Sequence, residues 1–334
     1  MPREILSIFV ITYNRCNFLE NTLNQLAKSP FSACSITILD NCSTDSTPAV
    51  CSLFRDLFPV YSVIRHAINI GGNANYLRAV EMSRTPYTWV VCDDDDFDFS
   101  DCTDVMEALE CGSFDFIYLG SPSQQEWERG LVTTAHTIIA RGSKYYSGLT
   151  YMPSLIFRTS CFDSDCMVKA YRLINCLYPH FELLNRSIKD DFRIYVAKRL
   201  IFIRNELNSS GFYPLFWYAS WVTACQTIQD PSIRYRTIDQ ATEQKGYYKS
   251  LGFWIALEKS QRNRFFYKRI IDILSGYNWR QRIAFLPMLP VVIIPLPKSL
   301  LGVLRRIVYR MSGHAGELPS IEIEGRDKGY DDYL

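Results

Sequence analysis

The sequence is short of the residues that build several common kinds of site. It has only 4 histidines, and its 11 cysteines are scattered without a CxxC pair. The ligand spacings of zinc sites and dithiol redox centres are therefore missing. A formal net charge of +1 removes the chain-wide basic surface expected of a nucleic-acid binder, so no nucleic-acid partner is expected. The uncharged stretch Ile283 to Pro297 falls short of the roughly 20 apolar residues that span a bilayer, and Pro287, Pro290, Pro295 and Pro297 interrupt it. Met1-Pro2-Arg3-Glu4 leads straight into a strand-like run without the apolar core of a signal peptide. Unpatterned cysteines in apolar surroundings fit a reducing compartment, so a cytoplasmic setting is expected.

What is present suits a globular protein with one large domain or two modest ones. The chain of 334 residues is 48% hydrophobic and 21% charged. It is rich in rings, with 21 Tyr and 20 Phe, most of which should fill the core. Its first 120 residues alternate between short β-branched apolar runs and helical periodicity. Strands are expected at Ile5 to Ile11, Ile36 to Leu39, Tyr61 to Ile64, Trp89 to Cys92 and Phe114 to Leu119. Helices are expected from Phe18 to the stop at Pro30, from Asp45-Ser46-Thr47 to about Phe58, and from Gly71-Gly72-Asn73 through Met82. Such βαβ alternation implies an α/β fold with a mostly parallel sheet, whose ligands bind at the carboxyl ends of the strands. Thr12-Tyr13-Asn14, Asp40-Asn41 and Asp93-Asp94-Asp95-Asp96 all fall at such ends.

Four consecutive acids cannot all remain ionised at close range without a cation. Carboxylate oxygens are hard ligands suited to Mg²⁺ or Mn²⁺, which can bridge a diphosphate. A solvated acidic turn ahead of the next helix is the plainer explanation of the same run. The convergence of three polar strand ends favours a site.

Four segments, in order, resemble family-2 glycosyltransferases. They are Ser7-Ile8-Phe9-Val10-Ile11-Thr12-Tyr13-Asn14-Arg15, then Ile38-Leu39-Asp40-Asn41-Cys42-Ser43-Thr44-Asp45-Ser46-Thr47, then Asn69-Ile70-Gly71-Gly72-Asn73-Ala74-Asn75, and Trp89-Val90-Val91-Cys92-Asp93-Asp94-Asp95-Asp96. The resemblance covers roughly the first 100 residues. It implies a GT-A fold, a nucleotide-diphosphate sugar donor, a divalent Mg²⁺ or Mn²⁺ and inversion at the anomeric carbon. It also implies roles: Tyr13 packing on the nucleobase with Thr12 nearby, Asp40 accepting from the base edge, Asp94 near the ribose or sugar, Asp95 as principal metal ligand and Asp93 opening the DxD. Ile11 stands where the family often has Pro. Arg65 and Arg78 are the candidates for a cation facing the donor phosphates.

An inverting transfer needs one general base for the acceptor hydroxyl. In the family this is an acid downstream of the DxD at the start of a helix, and Asp190-Asp191 is expected to fill that place, with Asp191 the base. Adjacent acids at a helix N-terminus equally suit the helix dipole. His180, in Tyr178-Pro179-His180-Phe181, and the segment Ser147 to Thr150 are weaker candidates for the acceptor side; a histidine among aromatics is usually structural.

The expected organisation is a GT-A catalytic domain over 1–215, split into a nucleotide-sugar half (1–100) and an acceptor half (101–215). A mainly helical, basic and apolar C-terminal extension (216–312) and a mobile tail (313–334) follow. Between Arg262 and Arg310 there are ten basic residues against Asp272 alone. Apolar surface flanked by Lys and Arg suits contact with an anionic membrane surface, here the inner face of the cell membrane. A glycan or lipid-linked acceptor in surface polysaccharide or lipopolysaccharide assembly would fit that position. Two rival readings stand beside this one. A sugar-phosphate nucleotidyltransferase needs a Gly-rich loop where Thr12-Tyr13-Asn14-Arg15 stands. A catalytically silent, membrane-associated binding protein of the same fold would have no need of the acids.

Overall fold

A computed structural model describes residues 2–120, 128–141, 145–203, 214–242, 251–252, 255–256, 258–259 and 265–293. The chain divides into two compact units, Met1–Ile174 with Tyr178–Ser210, and Asn175–Leu177 with Gly211–Leu334.

The first unit runs α1 (Pro2–Ile5), β1 (Leu6–Thr12), α2 (Cys16–Ala27), β2 (Ser35–Asp40), α3 (Thr47–Leu53), β3 (Val60–Arg65), α4 (Gly72–Met82), β4 (Tyr87–Cys92), β5 (Asp96–Phe97) and α5 (Thr103–Cys111). It continues through β6 (Phe116–Tyr118), β7 (Leu131–Thr134), α6 (Ala135–Ala140), α7 (Tyr145–Leu149), β8 (Leu155–Arg158), α8 (Ser164–Arg172), α9 (Phe181–Lys189), β9 (Arg193–Val196) and β10 (Phe202–Ile203). Eight strands form one sheet in the order β3-β2-β1-β4-β8-β6-β9-β7. β3, β2, β1 and β4 are mutually parallel. β8 runs antiparallel between β4 and β6, β9 is parallel to β6, and β7 is antiparallel to β9.

Every residue of β1 is buried, as expected of a central strand covered on both faces. On α2, Leu19, Leu23 and Leu26 recur at helical spacing and join the core beneath it. Gly71 starts α4 with a φ of 84°, a conformation that costs glycine least, and its N–H donates to Asn69 Oδ1. The α3 helix stops at Leu53, short of the expected Phe58.

One expected element is corrected. No helix begins at Asp190-Asp191. The helix there is α9, which starts at Phe181 and ends at Lys189, with Asp190 as its C-cap. Asp191 then turns the chain with a φ of 47°, in the left-handed region that Asp tolerates better than most residues, and β9 follows.

The second unit contains helices Pro214–Cys225, Pro231–Thr242, Phe266–Gly276, Trp279–Phe285 and Leu289–Ile293. The buried Tyr218 and Tyr277 hydroxyls share a 2.6 Å hydrogen bond, and Arg269 and Glu258 form a buried ion pair beneath the Phe216 ring. Within the apolar stretch a single turn of 3₁₀ helix, Leu286–Met288, separates two short helices. Among the described residues no helix is long and apolar enough to cross a membrane. The tail 313–334 and the basic residues Arg262, Arg264, Lys298, Arg305, Arg306 and Arg310 lie outside the described residues.

Candidate active site

The strand order reverses between β1 and β4. From β1 the chain moves outward through β2 and β3, then crosses back to lay β4 on the other side of β1. The loops leaving β1 and β4 therefore diverge and open a crevice at their carboxyl ends, where sheets of this kind bind ligands. Thr12 and Asp93 face each other there: Thr12 Oγ1 donates to Asp93 Oδ2 at 2.6 Å.

Asp93 is 3% exposed. Burial raises its pKa to about 7, Arg15 opposes that rise, and Asp94 adds to it. Arg15 lies between the acids, with Nη1 2.5 Å from Asp94 Oδ2 and 3.3 Å from Asp93 Oδ1. Arg15, the last residue of the first motif, is thus the cation that meets the acid cluster. Of the two named candidates, Arg65 turns to Asp40 (3.4 Å) and the Ser43 carbonyl (2.6 Å), while Arg78 pairs with Glu81 on the surface of α4.

The four acids are not equivalent. Asp95 Oδ2 accepts from the Cys92 N–H at 3.3 Å, and burial, then the charge of Asp94, holds its carboxyl well above the usual range. Asp96 turns away to α2, where its Oδ1 accepts from Asn21 and Gln25, each at 3.2 Å. Oxygens of Asp94 and Asp95 and the Cys92 sulfur lie within 4.8 Å of one another, an arrangement able to hold an ion. The donor chemistry divides this set. Burial keeps Cys92 a neutral thiol, a soft group ill-suited to Mg²⁺ or Mn²⁺, whereas carboxylate oxygens suit them. Asp93 is held by Thr12 and Arg15 and Asp94 by Arg15, and the carboxylates whose oxygens lie close together beside Cys92 are Asp94 and Asp95.

The β2 end builds the neighbouring wall. Asp40, 1% exposed, accepts from the Ser43 N–H at 2.9 Å and shapes the turn. Asn14, with φ 52°, donates its N–H to Ser43 Oγ and accepts from the Thr44 N–H, tying the β1 loop to the β2 loop. Asn41 donates to Asn69 Oδ1 at 2.6 Å and accepts from the Ile70 N–H, while Asn75 donates to the Leu39 carbonyl and bonds His66. Tyr13 is half-buried beside these loops. Thr12, Tyr13, Asp40 and Asp93 to Asp95 are thus gathered at one edge of the sheet. The asparagine network is an addition to the expected site, although Asn14, Asn41, Asn69 and Asn75 all sit in the four motifs.

Asp190 and Asp191 are not part of this gathering. Ile194, Phe116, Phe157 and Thr88 lie in one row across β9, β6, β8 and β4. Asp93 follows Thr88 toward the carboxyl edge, whereas Asp191 precedes Ile194 toward the amino edge. At ~3.3 Å per residue this sets them on the order of 20 Å apart along the strands. Asp191 Oδ1 instead accepts from the His136 N–H at 3.0 Å at the start of α6, which lowers its pKa, and Asp190 pairs with Arg186. Asp191 thus accepts from the first turn of α6, whereas Asp190 sits at the C-terminal end of α9, where Arg186 holds its carboxylate.

The other end of α9 returns to the site edge. His180, immediately before α9, is 3% exposed and packs against Tyr76 of α4 (5.7 Å between ring centroids) and Tyr178 (6.3 Å). The segment Ser147 to Thr150 lies nearby: Tyr146 stacks on Phe181 at 4.7 Å, and the Thr150 backbone neighbours the imidazole.

Residues 7–192 match the family described as glycosyl transferase family 2. The abequosyltransferase RfbV of Salmonella typhimurium is 33% identical over 95 residues, a stretch that is 27% of this chain and 28% of that protein. The chain's fold is similar to that of S. aureus TarS 1–349 in complex with UDP, with a TM-score of 0.56 at 14% identity over 92% of this chain and 88% of that one. Against a longer TarS structure the TM-score is 0.52 at 16% identity, covering 92% of this chain and 52% of the other. With more than half of its length matched, including both walls of the crevice, this chain belongs to glycosyl transferase family 2.

Proposed function

We propose that the protein transfers a sugar from a nucleotide-diphosphate donor to the hydroxyl of a glycan or lipid-linked acceptor, with inversion at the anomeric carbon. The observation that carries this reading is the pairing of Thr12 with Asp93 across the strand-order reversal, with Asp94 and Asp95 beside it. The nucleobase packs on Tyr13 and meets Asp40 at its edge, and the diphosphate extends toward the acids. Thr12 and Arg15 hold Asp93 in place, so the acid loop is ordered before the donor arrives. Asp94 and Asp95 would hold Mg²⁺ or Mn²⁺. When bound, such a cation supplies positive charge to the departing diphosphate. Retention of the whole acid run favours this reading over a silent binding protein.

The likeness to an abequosyltransferase supports a role in surface polysaccharide or lipopolysaccharide assembly. Trp279, Ile283, Leu286 and Ile293 are exposed close in sequence to Arg280 and Arg282, which supports peripheral contact with an anionic membrane at the site of a lipid-linked acceptor. The test is nucleotide release from UDP-, GDP-, CDP- and dTDP-sugars with Mn²⁺ or Mg²⁺ and without either. Metal-dependent release from at least one donor, lost in Asp95→Asn, is the expected result. Release that survives that substitution would refute the assignment of Asp95.

A further inference from the structure

The topology removes Asp191 from the crevice and leaves the acceptor side without its expected base. Three observations meet at one other residue. First, α9 has nine residues and a length of about 13 Å, and it leads through Asp190 to the amino edge of β9, so its first turn lies back toward the carboxyl edge. Second, the Tyr76 ring that packs on His180 belongs to the same edge: its neighbour Asn75 bonds the Leu39 carbonyl at the end of β2. The Tyr76 hydroxyl is itself held above its usual range by burial and then by the thiols of Cys166 and Cys92, the latter at the end of β4. Third, neither ring nitrogen of His180 has a hydrogen-bond partner, although both are fully shielded from water. The Thr150 backbone is a polar neighbour but falls outside hydrogen-bond geometry.

Two unbonded nitrogens on one buried imidazole are costly, and a buried polar group in that state is most simply explained by a partner that arrives with the ligand. We infer that His180, and not the acidic pair at 190–191, accepts the proton of the acceptor hydroxyl. The inference rests on the glycosyl-transfer reading. As the acceptor oxygen bonds to the anomeric carbon, its proton passes to an imidazole nitrogen. The bond from the anomeric carbon to the diphosphate oxygen breaks, and its electron pair leaves with the nucleoside diphosphate. Burial leaves the free imidazole neutral at pH 7, with its pKa lowered to about 4, so a lone pair is available before substrate binds. The rings of Tyr76 and Tyr178 flank the imidazole and hold it in place.

The experiment uses the full chain with Mn²⁺ and whichever UDP-, GDP-, CDP- or dTDP-sugar the wild type hydrolyses fastest, water serving as the acceptor. His180→Ala and His180→Gln are expected to lower kcat about 100-fold or more, with nucleoside diphosphate affinity and folding retained. His180→Asp, which restores a base at the same place, should recover part of the rate, with the acid limb of the pH profile displaced. Asp191→Asn should remain within about threefold of wild type. Wild-type rates in His180→Ala, or an equal loss in Asp191→Asn, would overturn the assignment of His180 and leave the transferase reading standing. A wild type that neither binds nor hydrolyses any of these donors would overturn both.

Discussion

Thr12 and Asp93, 81 positions apart in the chain, are joined by a 2.6 Å hydrogen bond that closes the floor of the crevice. Thr12→Val keeps the side-chain shape and removes the donor. A buried carboxyl that loses one partner should cost about 1–3 kcal/mol of stability, measured by urea denaturation of the free protein. A loss indistinguishable from zero would mean that Arg15 alone satisfies Asp93.

The acids should separate into two classes. Asp95→Asn is expected to abolish the rise in melting temperature that Mn²⁺ and a nucleoside diphosphate produce together. Asp96→Asn should leave that rise intact, because Asp96 is bonded to Asn21 and Gln25 on α2 and takes no part in the ion-holding group. A thermal-shift titration reads both variants, and equal responses would remove the distinction.

Asp191→Ala is expected to behave as the loss of a helix cap, since Asp191 accepts from the His136 N–H at the start of α6. It should cost about 1 kcal/mol in chemical denaturation and leave donor turnover within about threefold. A large loss of turnover at unchanged stability would return Asp191 to the catalytic machinery.

His180 should leave its mark on acid stability. Its folded pKa is lowered to about 4 from the ordinary 6.5, so the unfolded chain binds the proton first. Stability therefore falls as pH drops from about 6.5 to about 4, by a total approaching ~3 kcal/mol. The groups packed on the ring are Tyr76, Tyr178 and the Thr150 backbone, none of which ionises in that window. Urea denaturation at pH 7 and pH 5 should show a smaller acid-side loss in His180→Gln than in wild type. Equal losses would place the origin of the slope elsewhere.

In the second unit, Glu258 and Arg269 form a buried ion pair. Glu258→Ala removes the carboxylate partner of a buried guanidinium and should destabilise that unit by about 3–5 kcal/mol, whereas replacing both residues with apolar ones should cost far less. Hydrogen exchange of the Phe266–Gly276 helix would distinguish the two outcomes.

The donor side of the site was legible because its signals are local. Ile8, Val10, Ile36, Ile38, Trp89 and Val91 form apolar runs that end on polar residues, and parallel pairing then brings those ends to one edge. The start of α9 is not legible from the acids alone, because acids suit either end of a short connection. Asp190-Asp191 follows a helix that begins at Phe181 instead of opening one. The signals for it were present: Pro179 before the start, Glu182 in the first turn, and Arg186 and Lys189 in the last, as the helix dipole favours. The place of His180 follows from the sheet order, in which β8 runs against its neighbours, and no periodicity encodes that reversal.

A string of four identical side chains has no internal landmark, and nothing within it prevents the backbone from slipping by one position during folding. Here the string is fastened at its two extremities, by Thr12 at the first aspartate and by Asn21 and Gln25 at the fourth. The inner two are held between them, Asp94 by Arg15 and Asp95 by the Cys92 N–H. An added or deleted aspartate would force one fastening to release, so the length of this string should tolerate change far less well than its uniform composition suggests.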